Sequence, residues 1–298
     1  ELVNALRHDD VLTLGEDGWR WDATTILRFV GKGEVIDLLT ARIARLPAPA
    51  RSLLETMACL GGEVELGLLA AASGLSAAEL EERLSASLED GLLVMEDANN
   101  TVRFRHDRVQ QAAYHRLDPA LRGGLHLTIA RRLAALPEFA AASAEQYLYT
   151  VDAIDDPAEC RRVVNLFHAN AAQARQATTY AQAERFLTAA LSLLPKTGTA
   201  ADITLRISLL TGQHAAFYCL GRLEQADEVY RSIEQSSATA IELVDAACTQ
   251  IASLNDRGRF GEALTLGLDM MRRFGVEKPQ NIESEVSARM NDMAEWAS

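Results

Sequence analysis

The stretch Thr101 to Leu117, TVRFRHDRVQQAAYHRL, sets a histidine beside a carboxylate at the joint between a strand-like run and a helix-like one. Imidazole and carboxylate groups move protons, bind metals or meet phosphates, so His106-Asp107 is the first place to look for chemistry. Asp107 stands where a helix N-cap belongs, and Gln110 follows at capping-box spacing, which gives Asp107 a sufficient structural role as cap of that helix. His106 lies one position outside, where unpaired backbone N–H groups and the positive end of the dipole gather. A neutral imidazole N–H beside a bound anion suits that place. A surface histidine, or one hydrogen-bonded in the core, is the simpler alternative.

The remaining polar clusters carry less. His8-Asp9-Asp10 reads as a solvated turn, and His126 with Arg131-Arg132 as a charged helix face. No Ser or Cys sits in a nucleophile-elbow context and no histidine pair has metal spacing, so neither an enzyme nor a metal site is expected. Cys59, Cys160, Cys219 and Cys248 are scattered without a CxxC pair, as in a cytoplasmic protein with reduced thiols. A net charge of -13 disfavours nucleic acid or an anionic membrane as partner. No apolar run approaches the ~20 residues of a membrane span. The opening ELVNALRHDD lacks Met and any leader-like segment, which reads as a cut inside a longer protein.

These residues need elements to place them. Leu2 and Leu6 mark a helical end, and VLTL and WRW around the turn GEDG suggest a small hairpin with Trp19 and Trp21 on one face, there for packing. From Glu34 the pattern turns helical. EVIDLLTARIARLP puts Val35, Leu38, Leu39, Arg42, Ile43 and Leu46 on one stripe that Pro47 stops. APARSLLETMACLGG predicts a second helix, VELGLLAAASG a short third, and SAAELEERLSASLEDG a fourth with a Ser76–Glu79 capping box. LLVMED and TVRFR about ANN predict a hairpin. Helices followed by a two-stranded wing form the winged-helix pattern.

After Asp118 helix follows helix, with Asp-Pro starts at LDPALRGG and DDPAECRR. LGRLEQADEVY and RGRFGEALTLG then repeat: Gly221 aligns with Gly258 and Ala226 with Ala263, and ATTYAQAERFL fits through Tyr180 and Ala183. A turn glycine with a small residue beyond it describes a helical hairpin packed closely on itself, similar to a tetratricopeptide repeat of about 34 residues. Tyr147, Tyr149, Phe217 and Tyr218 read as core of such a stack.

FRHDRVQQAAYHRL resembles the segment closing the winged-helix domain of signal-transduction ATPases with numerous domains, the STAND class. That class includes the apoptosome scaffold, plant disease-resistance receptors and bacterial regulators. A Met-His-Asp or similar triplet there ends the wing and begins the last helix; here it is Arg105-His106-Asp107. The resemblance implies that His106 touches the ADP β-phosphate and holds an off state. GWRWDATTI, VIDLLTARIARLP, LLETMACLGG and RFRHDRVQQAAYHRL, in that order, also look like large bacterial proteins fusing a kinase module to a predicted ATPase, tetratricopeptide-like helices and often a histidine-kinase end. No GxxxxGK[ST] occurs, and Gly31-Lys32-Gly33 lacks both its loop length and its Ser/Thr. The chain itself is therefore expected to hold no cofactor, with ADP or ATP bound only alongside the missing nucleotide-binding core.

The fold expected is mainly α: residues 1–31 the end of a preceding ATPase or lid region, 32–117 a winged-helix domain with a small β wing, and 118–298 a tetratricopeptide-like α-solenoid. The function expected is a non-catalytic regulatory and interaction segment coupling nucleotide state to a partner-binding surface. Its partners would be the upstream nucleotide-binding domain and a protein or peptide on the repeats. The alternative is a winged-helix DNA-binding transcriptional regulator. Its recognition helix, Ser76 to Asp90, would carry Glu79, Glu81, Glu82, Glu89 and Asp90 against Arg83 alone, a face that repels phosphates.

Overall fold

Residues 12–15, 18–21, 34–96, 98–198, 203–236, 239–276 and 282–296 are described by the computed structural model. The expected helical end at Leu2 and Leu6, His8-Asp9-Asp10 and Gly31-Lys32-Gly33 lie outside them. The chain is mainly helical with a few short strands, and it divides into two units, Glu1–Ala153 and Ile154–Ser298.

In the first unit β1 (Leu12–Gly15) and β2 (Gly18–Trp21) pair antiparallel with Leu14 opposite Trp19. The alternation puts both tryptophans on one face as expected, and Trp19 and Trp21 are 45% and 60% exposed, more than the packing role expected of them implies. Helix α1 (Glu34–Arg45) buries Leu39 and Ile43, and Pro47 ends its stripe. Helix α2 (Ala48–Leu60) starts on Pro49, where a missing N–H costs nothing, and stops at Gly61. The short strand β3 (Glu63–Glu65) replaces the start of the helix expected from Val64. Val64 is buried between two exposed glutamates, and that alternation pairs with β5 instead of turning a helix. Helix α3 (Leu66–Ser73) therefore begins late. It ends on Gly74 in the left-handed region, and α4 (Ala77–Glu89) opens with the full Ser76–Glu79 capping box.

The hairpin forms where expected: β4 (Leu93–Glu96) and β5 (Thr101–Phe104) pair antiparallel, and β3 joins on the other side in the order β3-β5-β4. Helix α5 (Asp107–Arg116) leaves the centre of this sheet and packs on α1 and α2. Its Val109, Ala112 and Ala113 have no exposure at all, and burial of the valine alone contributes roughly 1.5–3 kcal/mol. Arg116 reaches Glu55 on α2 at 3.1 Å.

Helices α6 (Pro119–Ala134) and α7 (Ala140–Leu148) belong by contact to this same unit. Ile129 and Leu133 of α6 pack with Cys59 and Ala72. The boundary drawn from sequence at Asp118 and the contact boundary at Ala153 thus differ. A polar Asp-Pro start marks where a helix begins, and says nothing about which core it joins.

Among the described residues of the second unit, three helical hairpins follow: α8 (Pro157–Gln176) with α9 (Tyr180–Leu193), α10 (Ile203–Cys219) with α11 (Leu223–Glu234), and α12 (Ala240–Asp256) with α13 (Phe260–Arg273). Their turns share one geometry. Thr178, Gly221 and Gly258 have φ of 58°, 72° and 73°. The next residue's N–H returns to the first helix each time: Thr179 to Ala174, Arg222 to Phe217, Arg259 to Leu254, all 2.9 Å. This is the Schellman closure, which needs one left-handed residue. Ala183, Ala226 and Ala263 are buried just beyond, where a bare methyl lets two helices approach. A last helix, α14, spans Ile282–Trp296.

Candidate functional site

The joint between β5 and α5 is held from the backbone. The Phe104 N–H donates to the Gly62 carbonyl at 2.9 Å and that of Arg105 to Leu92 at 3.0 Å, while the Arg105 side chain donates to the Gly91 carbonyl at 2.7 Å. His106 then takes extended angles (φ -148°, ψ 149°) as the residue capping α5, and its carbonyl accepts the Val109 N–H at 2.9 Å. No side chain caps the first turn.

Asp107 is the first helical residue rather than the cap, because the chain is still extended at His106 and turns only afterwards. Gln110 does not reach back to complete a capping box; its side-chain amide points to the Ala58 carbonyl, 3.4 Å away. The Asp107 carboxylate still lies in the first turn, where the helix dipole favours it. Arg105, His106, Asp107 and Arg108 are all exposed, and among the described residues the His106 side chain makes no hydrogen bond. Two guanidinium groups against one carboxylate make this corner locally cationic on a chain of net charge -13. Such a corner can donate N–H groups to an anion brought to it.

The second unit offers a different kind of place. Helices α8, α10 and α12 line a cavity of ≈ 610 Å³. His168 and Arg175 come from α8, Ser208 and Thr211 from α10, Glu242 and Asp245 from α12. The His168 Nε2 and the Ser208 hydroxyl lie 3.0 Å apart, and the Thr204 hydroxyl donates to Glu242 at 3.0 Å. Burial, helped by Arg175, lowers the His168 pKa and keeps the ring neutral near pH 7. The groove carries the Arg175 guanidinium on its α8 side and the Glu242 and Asp245 carboxylates on its α12 side.

Gly221 and Gly258 lie in the hairpin turns, and Ala226 and Ala263 are buried in the helices that follow, where they let the hairpins close. Ala226 precedes Asp227, the centre of a network that the repeat pattern did not reveal. Arg257 donates to both Asp227 oxygens at 2.7 and 2.8 Å, and Gln250 donates to one of them at 2.6 Å. The buried His214 contributes Nε2–H to the Gln250 oxygen at 3.0 Å. Arg257 is the main reason the Asp227 carboxyl falls to about 2. These bonds fasten one hairpin to the next.

A matching network serves the first unit. His126 donates from Nδ1 to Gln146 at 2.7 Å and accepts at Nε2 from the Tyr114 hydroxyl at 3.1 Å; Gln146 in turn donates to the Cys59 carbonyl at 3.0 Å. Tyr149 stacks on the His126 ring at 4.3 Å. His126 is therefore a satisfied buried histidine and no part of an Arg131-Arg132 face. The Cys59 thiol beside it is pushed up to about 12 by burial, which makes it a poor nucleophile. Among the described residues no cluster of His, Cys, Asp and Glu could hold a metal ion, and no helix is long and apolar enough to cross a membrane.

No protein-family model and no curated protein matches the sequence. Among solved structures the chain is similar to a Signal Transduction ATPase with Numerous Domains (STAND) protein with a tetratricopeptide repeat sensor from Pyrococcus horikoshii. The identity is 14%, the TM-score 0.35, and the match covers 80% of this chain and 40% of that one. The chain thus spans less than half the length of that protein, and the likeness decides neither family nor activity.

Proposed function

We propose that this chain is a non-catalytic regulatory segment of a signalling ATPase: a winged-helix domain that senses nucleotide through His106, joined to a tetratricopeptide-like solenoid that holds a protein or peptide. The observation that supports the reading is the His106 imidazole, exposed and without a hydrogen-bond partner among the described residues, at the start of α5, where no side chain caps the helix. His126, by contrast, is buried and satisfied at both ring nitrogens. The order α1, α2, β3, α3, α4, β4, β5 with sheet order β3-β5-β4 supports the winged helix. The dipolar groove across α8, α10 and α12 supports the partner surface.

In this reading a nucleotide-binding domain upstream in the same polypeptide brings ADP to the joint. The imidazole N–H and the free N–H groups of α5 then meet its β-phosphate. A charge-assisted contact of this kind contributes roughly 1.5–3 kcal/mol, and only the part that differs between ADP and ATP shifts the switch. DNA is not the proposed partner: Glu79, Glu81, Glu82 and Glu89 all lie exposed on α4, the helix that would enter the groove. Calorimetric titration of ADP into the 298-residue chain tests the division of labour. The reading expects no stoichiometric binding; tight binding would place a complete nucleotide site here and overturn it.

A further inference from the structure

The last hairpin presents an apolar groove of ≈ 680 Å³, lined by Val244, Ala247 and Ile251 of α12 and by Ala263, Gly267 and Met270 of α13. At its rim Phe260, Leu264 and Met271 are 67%, 65% and 49% exposed. We propose that this groove is a helix-binding site and that its occupant is α14 of the same chain.

The register of the solenoid argues for it. The offset from Gly221 to Gly258 carries Ile207, Leu210, Tyr230 and Ile233 onto Val244, Ala247, Gly267 and Met270. Those four earlier residues are buried in a cluster with Leu243, Ala246 and Ala247 of α12. The groove is thus the surface that, one step earlier, the next helix covers. Helix α14 is the next helix here. Residues 274–281 separate it from α13, a length between those of the earlier links, 235–239 and 194–202.

Side-chain sizes are exchanged between the two steps. The offset from Thr178 to Gly221 carries Leu243, Ala247 and Gln250 onto Val286, Met290 and Met293. In the earlier step the large Leu210 and Tyr230 lie below and the small Ala247 above. In this one Ala247 and Gly267 lie below, leaving a hollow, and Met290 and Met293 stand above, flexible enough to fill it. Val286, Met290 and Met293 lie on one helix face and are 51%, 66% and 71% exposed. Seating α14 would cover both apolar faces. An amphipathic helix from a partner protein would have to displace it, so α14 gates the site.

Cys248 reports on the seat. It is exposed where this groove meets the cavity across α8, α10 and α12, and its counterpart one step earlier is Thr211, whose hydroxyl oxygen is fully covered. The intact chain, M290D and L264D are each pulsed with a maleimide, and labelling at Cys248 is quantified by peptide mass spectrometry against the urea-unfolded chain. Both substitutions fall on exposed positions, and circular dichroism verifies their folding. Cys248 in the intact chain is expected to react about ten-fold more slowly than in either variant, the ratio a short-lived opening of about 1.4 kcal/mol would give, at any protein concentration. Equal rates in all three chains would overturn the proposal. Protection that vanishes on dilution would also overturn it, by identifying a second copy as the occupant.

Discussion

Replacing Asp227 by asparagine should loosen the second unit at one seam. The carboxylate accepts two bonds from Arg257 and one from Gln250, and Gln250 also holds His214. Its pKa falls from 3.8 to about 2. At about 1.36 kcal/mol per unit that corresponds to about 2.4 kcal/mol for the charged form over the protonated one. Asp227 and Arg257 keep 25% and 20% of their side-chain surface in solvent, so screening reduces the figure to about 1 kcal/mol. Peptide-resolved hydrogen exchange reads that directly, as about five-fold faster exchange in α11, α12 and α13 with α2 and α5 unchanged. Because the folded pKa is depressed, the contribution is complete above 3.8 and is lost as pH falls from there toward 2. The variant-to-native exchange ratio should therefore be flat from neutral to mildly acid pH, then approach one. A ratio of one at pH 7, or one that grows on acidification, would refute the network as the fastening between hairpins.

Three further outcomes follow from the geometry. Gln146→Leu leaves the His126 Nδ1–H and the Cys59 carbonyl without partners in a buried place, and should cost about 2–3 kcal/mol, seen as loss of exchange protection in α2, α6 and α7. Thr178→Gly relieves a β-branched residue at φ 58°, and should stabilise the α8–α9 turn by about 0.5–1 kcal/mol, while Gly221→Ala should cost a similar amount; urea titration of each variant against the native chain decides. His126 and His214 both have pKa values lowered by burial, so below 6.5 the unfolded chain takes up protons that the folded chain refuses. Stability should drop as pH falls through 6.5, and His214→Asn should lose less over that interval than the native chain.

Much of the architecture was legible because it is written in local spacing. The Ser76–Glu79 box, the Pro49 start and the ANN hairpin each depend on neighbours within a few residues. The glycines at 221 and 258 announced their turns because a left-handed residue is needed there. Thr178 adopts the same angles without the usual residue type, so its turn was legible only through Tyr180 and Ala183. The strand at Glu63–Glu65 was missed: its three residues acquire meaning only from β5, far along the chain. The Asp227 and His126 networks were unreadable for the same reason, since Gln250, Arg257 and Gln146 are brought in by packing rather than by sequence. Asp107 had the right spacing for a cap and lost the position to His106 by one residue, a difference set by where β5 releases the chain.

The account stands most directly on His106. On the proposed reading, the decisive measurement is the affinity for ADP and for ATP of a longer polypeptide that includes the proposed upstream nucleotide-binding domain, native against His106→Ala, by isothermal titration calorimetry. Loss of a charge-assisted contact of roughly 1.5–3 kcal/mol predicts ADP binding weakened ten-fold or more, with ATP affinity little changed. Equal ADP affinity in the two proteins, or equal losses for both nucleotides, would contradict it.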